Sequence, residues 1–308
     1  MSLETATENL VATFRARPTL RAGSLIITVF GDAIAPRGGT VWIGSLIHAL
    51  ADFGVNERLV RTSVFRLTRD DWLEVEQVGR RSYYSLSDQG AEKFEQATVR
   101  IYGDPRQTWS GDWCLVLLTG LDVAQKETVR KELGWLGFGA ISTNVLAHPT
   151  PDLAEMEATL KRSGIDRQLV VMQGRTLGEK QDDAMRALVH KSWNLDEIDR
   201  RYKSFVAQFR PVLKAASQGR KLDQRIAFQL RTLLIQEYRR ILLRDPLLPA
   251  DMLPAAWHGT EAYQLCRELY GLVFEAADQY ISAEFETVDG KLPQAEPEFY
   301  ERFGGLGS

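Results

Sequence analysis

Apolar positions recur with helical spacing through most of the chain and switch to strict alternation in a few places, and those switches divide it. Residues 1–18 are polar, end at Arg17-Pro18, and read as a flexible arm. Leu20 to Phe30 is helical in period, and Pro36-Arg37-Gly38-Gly39 breaks the pattern. Thr40 reads as the N-cap of a helix over Val41–Phe53 that Gly54 ends, and Asn56 as the cap of a further helix to about Asp71. Leu73-Glu74-Val75-Glu76 then alternates, Gly79-Arg80-Arg81 turns the chain, and Ser82–Leu86 resumes as a strand. Three helices followed by a hairpin is the order of a winged helix-turn-helix, placed at 19–105.

A second block covers 106–178. Trp113 to Leu118 is a short apolar strand, and Asp122–Leu136 is helical. The glycines Gly134, Gly137 and Gly139 lead into Ala140–Ala147, Asp152–Arg162 is a helix stopped by Gly164, and Gln168 to Met172 is a strand. This gives β-α-β-(β)-α-β, a ferredoxin-like plan. Residues 179–288 are helical: Gln181–Lys214, Arg225–Leu243 and Glu261–Phe285 carry apolar stripes, and a proline-containing link separates the last two. Residues 289–308, ending Gly304-Gly305-Leu306-Gly307-Ser308, read as a flexible tail. The expected fold class is α+β and predominantly helical.

The helix after Asn56 has two unlike sides. With Arg58 set at zero and 100° per residue, Arg69 falls at about 20°, Thr62 at about 40°, Arg66 at about 80° and Arg61 at about 300°. Val60, Val64 and Leu67 fall on the opposite side, at about 180–240°. No acid interrupts Arg58 to Arg69, although Glu57 precedes the run and Asp70-Asp71 follow it. One side is made to pack and the other to meet an anion. An α-helix fits the major groove of B-DNA, where arginine donates two hydrogen bonds to guanine. The N-terminal side chains of such a helix reach base edges. Arg58, Arg61 and Thr62 are therefore expected near bases, Arg66 and Arg69 at phosphates, and Arg80 and Arg81 at the backbone or minor groove. Phe65, amid the arginines, either touches a thymine methyl or packs against another domain.

Composition narrows the picture. The 308 residues carry 38 Lys+Arg against 41 Asp+Glu, net −3, so nucleic-acid binding is expected to be local. Two cysteines make no disulfide framework and suit a reducing compartment. The N-terminus does not read as a leader and no apolar run is long enough to span a bilayer, so a cytoplasmic protein with no membrane partner is expected.

Signals for catalysis are weak. The four histidines are scattered, neither cysteine belongs to a CxxC pair, and no nucleophile elbow, P-loop or GxGxxG occurs. Asp112 and Asp122 flank a strand as two nuclease carboxylates would, but loop carboxylates there are commonly structural. No cofactor and no metal are expected. Aromatic residues gather with arginine late in the chain, at Tyr238-Arg239-Arg240 and Trp257-His258.

The run Arg61-Thr62-Ser63-Val64-Phe65-Arg66-Leu67-Thr68-Arg69-Asp70 carries a family resemblance, as do Gly79 to Ser87, Asn144 to Pro149, and Tyr238-Arg239-Arg240-Ile241-Leu242-Leu243-Arg244-Asp245-Pro246-Leu247-Leu248-Pro249. In these segments the chain resembles the PaaX family of bacterial repressors of phenylacetate catabolism over residues 15–285. The resemblance implies a winged helix, a Cas2-like middle domain and a helical C-terminal part. It also implies a homodimer on double-stranded operator DNA, released by phenylacetyl-CoA. An acyl-CoA pocket joins cations to an aromatic cavity, and Arg240, Trp257 and His258 are the expected effector contacts. Two departures from the family pattern are Asp71, where many relatives have Gly, and Phe65, where a small aliphatic residue or Ser is usual. The nuclease likeness of the middle domain keeps an alternative in view, a metal-dependent nucleic-acid-processing enzyme.

Overall fold

The computed structural model describes residues 2–19, 21–105, 109–175, 182–218 and 222–306. Leu20, Gln181, Gly307 and Ser308, which the sequence places at a helix start, a helix start and the tail, lie outside them. The first elements are α1 (Leu3–Arg15), α2 (Ala22–Val29), β1 (Val41–Trp42), α3 (Ile43–Ala51), α4 (Glu57–Arg69), β2 (Leu73–Val78), β3 (Arg81–Leu86) and α5 (Asp88–Tyr102). Next come β4 (Asp112–Leu117), α6 (Val123–Trp135), β5 (Gly139–Ser142), β6 (Val145–His148), α7 (Leu153–Arg162), β7 (Val170–Arg175) and α8 (Asp182–Ser192). The chain closes with α9 (Leu195–Ala216), α10 (Gln224–Leu242), α11 (His258–Glu284), β8 (Glu286–Thr287) and β9 (Gly290–Lys291).

Two compact units result, one from 1–104, 204–239 and 260–308, the other from 105–203 and 240–259. The segments expected as a C-terminal helical domain over 179–288 are shared between these two units. The apolar side of 204–239 packs instead on the N-terminal part, where Phe228 meets Phe53 at 6.4 Å between ring centroids.

In the first unit the order β1-β3-β2 makes a small antiparallel sheet. Its hairpin runs in register from Leu73↔Leu86 to Val78↔Arg81 around a two-residue turn. Gly79 opens that turn at φ +61°, a conformation glycine adopts without Cβ strain. Val41 and Trp42 pair with Tyr84 and Tyr83. The helix expected from Val41 thus begins at Ile43, because a β-branched and an aromatic residue are drawn into the sheet before it.

The described residues of both expected flexible ends form helical segments. α1 buries Ala6, Leu10, Val11 and Phe14 at helical spacing, and Phe14 meets Phe53 edge-on at 6.2 Å. Ser2 caps it by accepting from the Thr5 N–H. At the other end Pro297–Gly304 forms a short 3₁₀ segment that buries Phe299, Arg302 and Phe303.

Asp71 stands at φ +55° between α4 and β2. Glycine takes this region freely, whereas a β-branched residue clashes with its own carbonyl. Asp71→Val is therefore expected to cost about 1–2 kcal/mol and Asp71→Gly to be neutral or stabilising, as urea denaturation would measure.

In the second unit a four-stranded antiparallel sheet has the order β5-β6-β4-β7. One face is a core of Val116, Leu118, Val129, Leu133, Leu146, Met156 and Leu160, closed by α6 and α7. Asp122 starts α6 through a capping box with Gln125. Gly137 ends the helix at φ +89°, with the Phe138 N–H bonded to the Leu133 carbonyl at 3.0 Å. At the edge, β7 leaves Val170, Val171 and Met172 exposed in succession.

Candidate nucleic-acid interface

α4 is set by its cap and its apolar side. The Asn56 side chain accepts from the Leu59 N–H at 2.9 Å, and Glu57 places a negative charge at the positive end of the helix. Val60, Ser63, Val64 and Leu67 are buried, and the helix packs against α2 and α3. Arg58, Arg61, Thr62, Phe65, Arg66 and Arg69 are all exposed on the other side. Phe65 is 68% exposed.

The cations differ in what holds them. Among the described residues no hydrogen bond or ion pair engages the guanidinium of Arg58 or of Arg66. Arg61 reaches Glu57 at 2.8 Å and Arg69 reaches Asp70 at 3.1 Å. Pairs this exposed are worth about 0–1 kcal/mol, so a phosphate can replace either carboxylate. The Thr62 hydroxyl donates to the Arg58 carbonyl at 2.8 Å, which leaves it only lone pairs to offer.

Arg80 is exposed in the hairpin turn. Arg81 is less available than the sequence reading has it. Its Nη1 donates to Glu286 at 2.9 Å and its guanidinium lies 4.3 Å from the centre of the Trp42 ring. The hairpin also exposes Glu74 and Glu76, so the positive character of this surface resides in α4.

Two polar clusters brace the interface from beneath. Asp52, between α3 and α4, accepts from Arg225 Nε and Gln229 Nε2 of α10, each at 2.7 Å. Burial opposes its ionisation, but the hydrogen bonds from Arg225 and Gln229 outweigh that and hold the carboxyl below its usual range.

The second cluster centres on Asp32, in the π-helical turn Phe30–Ile34 that follows α2. Asp32 is buried and accepts from Tyr102 at 2.7 Å, Tyr270 at 2.9 Å, Arg231 Nε at 2.7 Å and Arg302 Nη1 at 3.1 Å. Arg231 and Arg37 both pair with Asp278. Phe299 lies against all three guanidiniums, 4.6–5.1 Å from its ring centre. Burial works against the Asp32 charge, and the charges of Arg231 and Arg302 overcome it, so its carboxyl sits below the ordinary value. Sequence reasoning missed this cluster. One signal was available: Asp32 is a lone acid in the apolar run Leu25 to Ile34.

The expected effector contacts lie in the second unit. The Trp257 ring meets Tyr202 edge-on at 5.6 Å. His258 Nδ1 lies 2.9 Å from Asp199, which also accepts from the His258 backbone N–H at 2.8 Å. Arg240 is exposed on α10. These contacts tie Trp257 and His258 to α9. The carboxylates weighed for a nuclease both have structural partners: Asp112 binds Arg175 at 2.8 Å and Asp122 caps α6. Among the described residues no three His, Cys, Asp or Glu gather as a metal site. No described helix is long and apolar enough to cross a membrane.

Family models match three successive segments of the chain. Residues 21–90 match the PaaX-like protein family, 106–186 the PaaX protein central Cas2-like domain, and 193–283 the PaaX-like protein C-terminal domain. The chain belongs to the PaaX family, an α+β protein with a Cas2-like central domain. It is 39% identical over 284 residues to the transcriptional repressor PaaX of Escherichia coli strain K12, covering 92% of this chain and 90% of that one. That relative is named as a regulator of transcription. Among solved structures, the uncharacterized protein Rv0674 from Mycobacterium tuberculosis is similar in fold, with TM-score 0.55 and 21% identity over 85% of this chain and 99% of the other.

Proposed function

We propose that the protein is a DNA-binding transcriptional repressor of phenylacetate catabolism genes, released from its operator by phenylacetyl-CoA. The observation that carries this reading is the exposed guanidinium side of α4, backed by an apolar side buried against α2 and α3. α3, α4 and the β2–β3 hairpin act as a winged helix-turn-helix, with α4 in the major groove. Arg58, Arg61 and Thr62 meet base edges, Arg66 and Arg69 meet phosphates, and Arg80 leads Arg81 at the flanking backbone. The second unit, built around a ferredoxin-like sheet, takes the effector, with Arg240, Trp257 and His258 toward the phosphates and adenine of the CoA carrier.

A homodimer in the cytoplasm would place two copies of α4 in successive major grooves of a near-palindromic site. Bound there, it blocks polymerase. Release requires the thioester to bind the DNA-free form more tightly. A coupling of about 1–3 kcal/mol is typical, and DNA must weaken effector binding by the same factor.

The experiment is a titration of phenylacetyl-CoA into the complex with promoter DNA, followed by fluorescence anisotropy. Saturating thioester is expected to raise the apparent Kd for DNA about 5- to 150-fold, while acetyl-CoA at equal concentration leaves it unchanged. DNA that stays bound at saturation, or that responds alike to both thioesters, contradicts the effector assignment.

A further inference from the structure

We propose that Phe65 is a specificity-determining residue whose ring covers the C5-methyl group of a thymine on the floor of the major groove. This deepens the repressor reading, on which it rests, by naming the base that α4 requires beside those its arginines meet.

Phe65 lies inside the cationic side of α4, not at its margin. With Arg58 at zero it falls at about 340°, between Arg61 at about 300° and Arg69 at about 20°. Its side chain is 68% exposed. Arg61 and Arg69 stand one turn before and one turn after it, where a guanidinium can stack on an aromatic face. Both reach elsewhere, Arg61 to Glu57 at 2.8 Å and Arg69 to Asp70 at 3.1 Å. Among the described residues no cation and no second ring lies on Phe65.

Neither helix formation nor the core accounts for an aromatic residue here. Phenylalanine forms helices less readily than alanine, leucine or arginine, and the buried side of α4 consists of Val60, Ser63, Val64 and Leu67. A benzyl group gives and takes no hydrogen bond, so it gains chiefly by covering apolar surface. On the base edges of the major groove that surface is the thymine methyl.

Charge decides which partner brings it. Around Phe65 the exposed arc holds Arg58, Arg61, Thr62, Arg66 and Arg69, with no acid among them. Its occupant is therefore anionic at the rim and apolar at one point. A DNA groove, with phosphates along its walls and methyl groups on its floor, meets both conditions. Phe65 follows Arg61 by four residues, about 6 Å along the helix axis. That is about two base steps, so the thymine is expected about two base pairs from the base that Arg61 meets.

The test is fluorescence anisotropy with the full chain on the duplex footprinted upstream of the neighbouring genes. Each thymine is replaced in turn by deoxyuridine, which removes only the methyl group. For the wild-type chain, one such replacement in a half-site is expected to raise the Kd about fourfold, the worth of one buried methyl-sized group. In Phe65→Ala the same replacement should have no effect, and in Phe65→Leu the penalty should persist in part. Phe65→Ala should keep the wild-type urea midpoint, since the side chain is exposed.

A scan in which no thymine separates wild type from Phe65→Ala overturns the proposal. So does a Phe65→Ala chain that keeps the wild-type deoxyuridine profile but changes its oligomeric state in sedimentation, which would make Phe65 a contact between copies. If Arg61→Ala loses sequence preference while every deoxyuridine replacement is silent, the thymine contact falls and the repressor reading stands. If neither Arg61→Ala nor Phe65→Ala alters binding, α4 does not read DNA and both fall.

Discussion

Asp32→Ala is expected to lower the unfolding free energy by about 3–5 kcal/mol, the range found when one partner of a buried ion pair is removed. Asp32 is the carboxylate on which Arg231 and Arg302 converge, and all three side chains are almost wholly buried. Without it Asp278 would stand against three guanidiniums, and the hydroxyls of Tyr102 and Tyr270 would lose their acceptor. Urea denaturation measures the change.

The same group sets an acid limb. Its folded pKa is lowered, so its contribution to stability is present above the unfolded value of about 4 and is lost as pH falls through the lower folded value. The Asp32→Asn chain should lack this part of the limb, with a flatter stability profile below about pH 4.

The double variant Arg58→Ala/Arg66→Ala is expected to bind promoter DNA about 100-fold more weakly, since each good arginine contact is worth about 1–3 kcal/mol. Its folding stability should change by less than about 0.5 kcal/mol, because both side chains are exposed and neither holds an internal partner. The two losses are of different kinds. Arg66, at a phosphate, should weaken all sequences alike and reduce the salt slope by about 1, whereas Arg58, at a base edge, should also relax sequence preference. Anisotropy titrations across a series of salt concentrations separate them.

What was legible in the sequence was what depends on local periodicity. The two sides of α4 follow from its 3.6-residue repeat alone, so the exposed arginines and the buried Val60, Val64 and Leu67 lie where the angular arithmetic puts them. The hairpin was legible because alternation on both sides of Gly79 leaves few other conformations. Partnerships across long stretches of chain were not. Arg302 meets Asp32 from 270 residues away and Arg81 meets Glu286 from 205, and no local pattern encodes either. Those contacts order the supposed tail and draw Arg81 from the hairpin toward the body of its unit. α1 was missed for another reason: Ala6, Leu10 and Phe14 do repeat every fourth residue, but the polar residues between them mask the stripe. β1 spans only two residues and owes its form to its partners on β3.

The most direct measurement concerns sequence discrimination by Arg61, whose weak exposed pair with Glu57 must give way to a base. Fluorescence anisotropy would compare wild-type protein and Arg61→Ala on the duplex footprinted upstream of the neighbouring genes and on a scrambled duplex of the same length. Arg61→Ala is expected to lose about 10- to 100-fold on the footprinted duplex and far less on the scrambled one. An Arg61→Ala protein that keeps full affinity and full preference for the footprinted duplex would show that α4 does not read DNA.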